Sequence, residues 1–183
     1  MSVITAAEWD HAPDATNWEL VDGIVRPRAA PTSLHQRVKA ALRDLLTRLA
    51  PPSMTLATDL EVRLDDLLRR RPDVLVFRTE GVDGDFGWVE PDHVVLAVEV
   101  VCRGSETTDR KHKRVEYADA DLAHYWRVET TPVVGVHTYR LGESSAYLET
   151  GLFREGDRVL DPTLWWASFE VNDLVPGPPE PSA

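Results

Sequence analysis

The chain has 183 residues, of which 43% are hydrophobic and 28% charged. Such values fit one soluble globular domain and exclude collagen-like, disordered or disulfide-dense chains. The 20 Lys and Arg against 31 Asp and Glu leave a net charge of −11 and a pI near 4.9. Taken alone, that balance argues against a partner as anionic as nucleic acid, because phosphate binding is driven by Lys and Arg displacing counterions. The one cysteine, Cys102, has no intramolecular disulfide partner, and no Cys/His cluster suggests zinc. The first residues lack the basic start and apolar core of a signal peptide, and VVLAVEVVC (94–102) is too short to cross a bilayer. A cytoplasmic protein without membrane association is the expectation.

Thr5 and Glu8 have capping-box spacing, which predicts a short helix there. In WELVDGIVR (18–26), Asp22-Gly23 lies between two apolar-rich runs and predicts a hairpin. Leu34, Val38, Ala41, Leu42, Leu45 and Leu49 recur at spacings of three and four. They predict an amphipathic helix from Ser33, its expected N-cap, to Leu49, with Pro51-Pro52 as the stop. Strands are expected at 54–64, 72–77 and 94–101, the last suited to burial on both faces. An acidic loop spans 79–93. A second helix is expected from Thr108 or Asp109 to about Ala118, and strands at 124–129 and 133–141. Weaker strand signals follow at 145–150, 152–154 and 165–171. The order predicts one mixed α/β domain over 1–175, a central sheet flanked by helices, with a disordered tail at 176–183.

Glu99 lies inside the most apolar strand of the chain. A carboxylate there must be protonated, paired or bound to a cation, because an isolated buried charge costs several kcal/mol or more. Asp73 begins another apolar strand directly after Pro72. If the two strands are neighbours, both carboxylates converge on one sheet edge. With a backbone carbonyl and waters, they then offer the hard oxygen donors that Mg²⁺ or Mn²⁺ takes. The competing reading is a structural ion pair between Glu99 and an arginine. On the second helix Asp109, Lys113 and Tyr117 follow one another at intervals of four. That spacing also describes a solvated ion pair worth about 0.3–0.5 kcal/mol.

Taken in order, WELVDG (18–23), His35, RPDVLVF (71–77), the run 99–129 from EVVCRGS to HYWRVE, and SFEVNDL (168–174) are similar to the Uma2 (DUF820) family. The likeness runs from about residue 5 to 175. Each motif is unspecific by itself; their order and spacing carry the resemblance. It implies the PD-(D/E)XK restriction-endonuclease-like fold and a metal-dependent endonuclease that hydrolyses DNA phosphodiester bonds through a Mg-activated water. Asp73 and Glu99 then become the metal ligands. The usual lysine position two residues after the acid is Val101 here, and Lys113 on the following helix occupies the displaced place. Glu19 of the hairpin, His35 and Asp109 are additional candidates. Glu19 reads equally well as an exposed hairpin residue, and His35 as a polar residue at a helix start. Where the family pattern has Ser-Pro-Ser after the strand, this chain has Cys102, Arg103 and Gly104, which alters the loop more than the metal site.

The charge is unevenly spread. Residues 24–48 hold six Lys or Arg against Asp44 alone, whereas 79–99 hold six acids and no Lys or Arg. Arg103, Arg110, Lys111 and Arg114 are the expected nucleic-acid contacts, so the acidic total does not exclude a DNA partner; RNA stays open. A homodimer is expected, because folds of this kind use two copies to reach both strands. The alternative is a catalytically silent module of the same fold, acting as a dimeric interaction protein.

Overall fold

In a computed structural model the described residues are 3–11, 17–80 and 87–175. The tail expected at 176–183 and much of the acidic loop lie outside them. The capping box forms as read: α1 (Ala6–Trp9) starts at Thr5, whose side chain accepts from Glu8 N–H while the Glu8 carboxylate accepts from Thr5 N–H. The hairpin pairs β1 (Trp18–Val21) with β2 (Ile24–Pro27) through Asp22 and Gly23, both at positive φ (54° and 68°). That is the backbone of a tight primed turn. A Cβ on Gly23 would also collide with Val3, so glycine is required twice over.

The long helix α2 (Ser33–Leu49) is capped by Thr32 rather than Ser33, because the Thr32 hydroxyl accepts from His35 N–H. Val38, Leu42 and Leu46 are fully buried on its inner stripe, each worth roughly 1.5–3 kcal/mol of transfer free energy. The expected strand 54–64 is broken. β3 (Met54–Ala57) pairs with β6 (Val74–Arg78), whereas β4 (Glu61–Arg63) pairs with β5 (Arg69–Arg70) in a different sheet. The chain changes sheet at Asp59, which adopts φ 55°, a conformation short polar side chains tolerate.

Two sheets organise the domain. One has the order β2-β1-β5-β4-β7, where β7 is Trp88–Val89. The other is the six-stranded central sheet β11-β10-β9-β8-β6-β3. It contains β8 (Val94–Val100), β9 (His124–Glu129), β10 (Gly135–Leu141) and β11 (Tyr147–Arg154). The two weak signals at 145–150 and 152–154 are thus one strand. At the other end, β13 is only Phe169–Glu170, paired with β12 (Arg158–Val159), and Val171–Leu174 form a helical turn.

Strands β8 and β9 run parallel, so the intervening helix must cross over one face. That helix is a π-turn (Thr108–His112) continuing into α3 (Lys113–Asp119). Both faces of the central sheet are covered. Val74, Val76 and Val98 pack with α2, while Leu75, Phe77 and Ala97 pack with Tyr117 and Tyr125. This double burial explains the near-continuous apolar strands. Among the described residues no helix is long and apolar enough to cross a membrane.

Candidate metal and nucleic-acid site

The antiparallel register that pairs Val74 with Val98 brings Asp73 opposite Glu99 at the end of the two central strands. Both are buried, at 4% and 2% exposure. They border a cleft of about 1540 Å³ between the hairpin, the first turns of α2 and the π-turn.

Glu99 is held from above by the crossover helix. Tyr117 donates its hydroxyl to Oε1 at 2.7 Å, and Lys113 Nζ lies 2.9 Å from Oε2. The same ammonium is 3.3 Å from Asp109 Oδ1 and 3.5 Å from Glu19 Oε1. Glu19 is further held by Arg70 at 2.8 Å and by the Arg71 N–H at 3.1 Å. Arg70 in turn forks onto Glu116 at 2.7 and 2.6 Å, tying the hairpin sheet to α3.

One ammonium cannot neutralise three buried acids. Burial, with the charges of Asp109, Asp73 and Glu19, pushes the Glu99 carboxyl up to about 8 despite Lys113. Burial likewise raises Asp109. Glu19 is held below its ordinary value: burial opposes its charge, but Lys113, Arg70 and the Arg71 N–H outweigh it. Lys113 stays charged well above its usual range, because its three acids overcome the burial penalty.

Asp73 has a separate set of partners. Its Oδ2 accepts the Val100 N–H at 2.8 Å. Its Oδ1 lies 3.2 Å from His35 Nε2, 3.5 Å from Arg28 and 3.9 Å from Lys39. Burial works against its charge, yet the contacts with His35, the charge of Lys113 and the Val100 N–H hold its carboxyl low. His35 Nδ1 lies 2.9 Å from the Val100 carbonyl. A carbonyl only accepts, so Nδ1 carries a proton and the ring presents Nε2 to Asp73.

The donor chemistry fits a hard divalent cation. Asp73 is an anion beside a carboxyl that its surroundings force towards the neutral form, and a dication would relieve that excess of negative charge. The fit is that of a two-carboxylate site completed by water or substrate. Among the described residues no three His, Cys, Asp or Glu side chains stand together as a metal cage.

The sequence model of the Uma2 family, described as "Putative restriction endonuclease", matches residues 6–171. The chain belongs to the Uma2 family. Its fold is similar to a crystal structure described as a "putative nuclease belonging to DUF820" from Anabaena variabilis. The TM-score is 0.73 at 16% identity, over 93% of this chain and 97% of that one. No curated protein matches.

In this Uma2 chain Asp73, Glu99, Lys113, Glu19, His35 and Asp109 all border the one cleft. The four basic residues read as a single patch divide. Arg103 and Lys111 line the cleft. Arg110 instead forks onto Glu129 at 2.9 and 2.8 Å, and Arg114 lies 4.9 Å over the Tyr139 ring while donating to the Tyr147 carbonyl. Sequence reasoning missed Asp59 and Arg70, counted Arg28 and Lys39 only within the basic run 24–48, and left Tyr117 without its bond to Glu99. A signal existed for Lys39. It falls in the apolar stripe of α2, four residues after His35, the same anomaly that singled out Glu99.

Proposed function

We propose that this Uma2 protein is a metal-dependent endonuclease that hydrolyses phosphodiester bonds of DNA. The observation that carries the reading is that Asp73, directly before β6, and Glu99, near the end of the neighbouring strand β8, border one cleft edged by Lys113 and basic side chains. Asp73 and Glu99 would hold Mg²⁺ or Mn²⁺. Such an ion supplies Lewis-acid polarisation of a phosphoryl oxygen and a lowered pKa for water. Tyr117 fixes one oxygen of Glu99 and leaves the other shared with Lys113. Lys113, anchored by Asp109 and Glu19, keeps a permanent positive charge at the cleft wall. There it can offset charge that grows on phosphate oxygens. His35, oriented by the Val100 carbonyl, sets the position of Asp73. Arg103 and Lys111 at the rim meet the DNA backbone.

The test is nicking of supercoiled plasmid with Mg²⁺ or Mn²⁺ against EDTA. Wild type cuts only with metal, and Asp73→Ala and Glu99→Ala abolish cutting in protein that stays folded. Cutting that survives both substitutions, or persists in EDTA, contradicts the proposal.

The saturation of Lys113 by three carboxylates favours a second reading, a catalytically silent module whose cluster is structural. Under that reading Glu99→Leu, which leaves Lys113 with Asp109 and Glu19, is neutral or stabilising, because packing replaces a buried ionisable group, and Mn²⁺ gives no binding heat.

A further inference from the structure

Asp59 is the residue on which the chain switches sheets, and its carboxylate is engaged by two cations at once. Oδ1 lies 3.0 Å from Arg28, and Oδ2 contacts Lys39. The side chain of Asp59 is 38% exposed, against 20% for Arg28 and 9% for Lys39. All three line the cleft beside Asp73. Arg28 and Lys39 are positioned from independent elements. Arg28 directly follows β2 and also donates to the Arg71 carbonyl at 3.1 Å. Lys39 projects from the buried stripe of α2, its stem packed and its ammonium turned to the cleft wall.

The two cations therefore share two counter-charges, one buried (Asp73) and one at the surface (Asp59). A carboxylate that gives each of its oxygens to a separate cation has the geometry in which a phosphate presents two non-bridging oxygens. Of the two counter-charges, the solvated, half-exposed acid is the weaker and the easier to displace.

We propose that Arg28 and Lys39 form a clamp for a DNA backbone phosphate next to the Asp73–Glu99 pair, and that Asp59 occupies this clamp until the phosphate displaces it. The inference rests on the nuclease reading for its ligand, but it assigns new residues and a competitive role to an acid. It makes Asp59 a restraint on binding: deleting its charge strengthens the complex, whereas deleting the cations weakens it. A purely structural ion cluster does not produce opposite effects of that kind.

The experiment is fluorescence anisotropy of a short fluorescein-labelled DNA duplex in EDTA across a salt series. It uses the full chain as wild type, Arg28→Gln/Lys39→Met and Asp59→Asn, with circular dichroism to check folding. Asparagine keeps the positive-φ backbone at position 59. The double variant is expected to bind more weakly, with the slope of log K against log[salt] flatter by about 0.9, one phosphate contact. Asp59→Asn is expected to bind roughly 2- to 5-fold more tightly at low salt, the range of an exposed ion pair. An unchanged slope in the folded double variant overturns the clamp, and so does Asp59→Asn binding no more tightly than wild type. If the double variant does not fold, the Asp59→Asn result decides alone. Wild type that fails to bind the duplex at any salt also overturns the clamp; plasmid nicking by the same protein with Mg²⁺ then leaves the nuclease reading standing.

Discussion

The ammonium of Lys113 sits 2.9 Å from a carboxylate oxygen of Glu99, a residue 2% exposed near the end of the central strand β8. Removing one partner of a buried pair leaves an uncompensated charge, which costs more than the pair contributes. Lys113→Met is therefore expected to destabilise the protein by about 3–5 kcal/mol in urea unfolding at neutral pH. The loss shrinks at acidic pH, where Asp109 and Glu19, the other acids left without Lys113, take up protons. A neutral-pH loss below about 1 kcal/mol would place the pair in the class of solvated surface bridges instead.

Stability without metal should depend on pH in a direction set by Glu99. Its carboxyl is raised from 4.5 to about 8 in the folded chain. Between those values the folded state keeps a proton that the unfolded state releases, so stability falls as pH rises across the window. Asp73 and Glu19 are shifted down, and their contributions disappear only as pH falls below the ordinary carboxylate range. Thermal melts should therefore show a decline from about pH 5 to about pH 8. Glu99→Gln should flatten it. A melting temperature that rises over this window in wild type contradicts the assignment.

Tyr117→Phe removes one hydroxyl from a fully buried ring, the one that donates to Glu99 Oε1. The expected loss is about 1–3 kcal/mol, the range for a buried polar partner left unsatisfied. Chemical denaturation measures it, and a neutral substitution would mean that Glu99 does not need this donor.

Divalent metal should stabilise the folded chain by mass action, by about 2.7 kcal/mol at a hundredfold excess over Kd. Binding should strengthen as pH rises towards 8, because the proton on Glu99 must leave first. Melting with and without Mg²⁺ or Mn²⁺ checks this, and Asp73→Asn and Glu99→Gln should each remove the effect.

The main elements were legible because local chemistry and tertiary packing agree. The Asp22-Gly23 turn, the apolar stripe of α2 and the doubly buried run at 94–100 each have a single low-energy arrangement. Glu99 stood out because a charge in such a strand demands a partner. What stayed hidden depends on distant segments. The Arg69–Arg70 strand reads as a charged loop until Glu61, Glu19 and Glu116 arrive to satisfy it. Helical spacing alone cannot show that Asp109, Lys113 and Tyr117 converge on Glu99. Nor does clustering in sequence make a patch: Arg110 and Arg114 find partners on the β9–β11 side of the helix, away from their neighbours Lys111 and Arg103. The break at Asp59 was missed because a single positive-φ aspartate leaves no periodic trace.

Anomalous diffraction from crystals soaked in Mn²⁺ tests most directly whether Asp73 and Glu99 share a divalent cation. One Mn²⁺ peak in contact with both carboxylates is expected, lost in Asp73→Asn crystals. Mn²⁺ bound elsewhere, with Glu99 still paired to Lys113 and Tyr117 at saturating metal, would contradict a shared site.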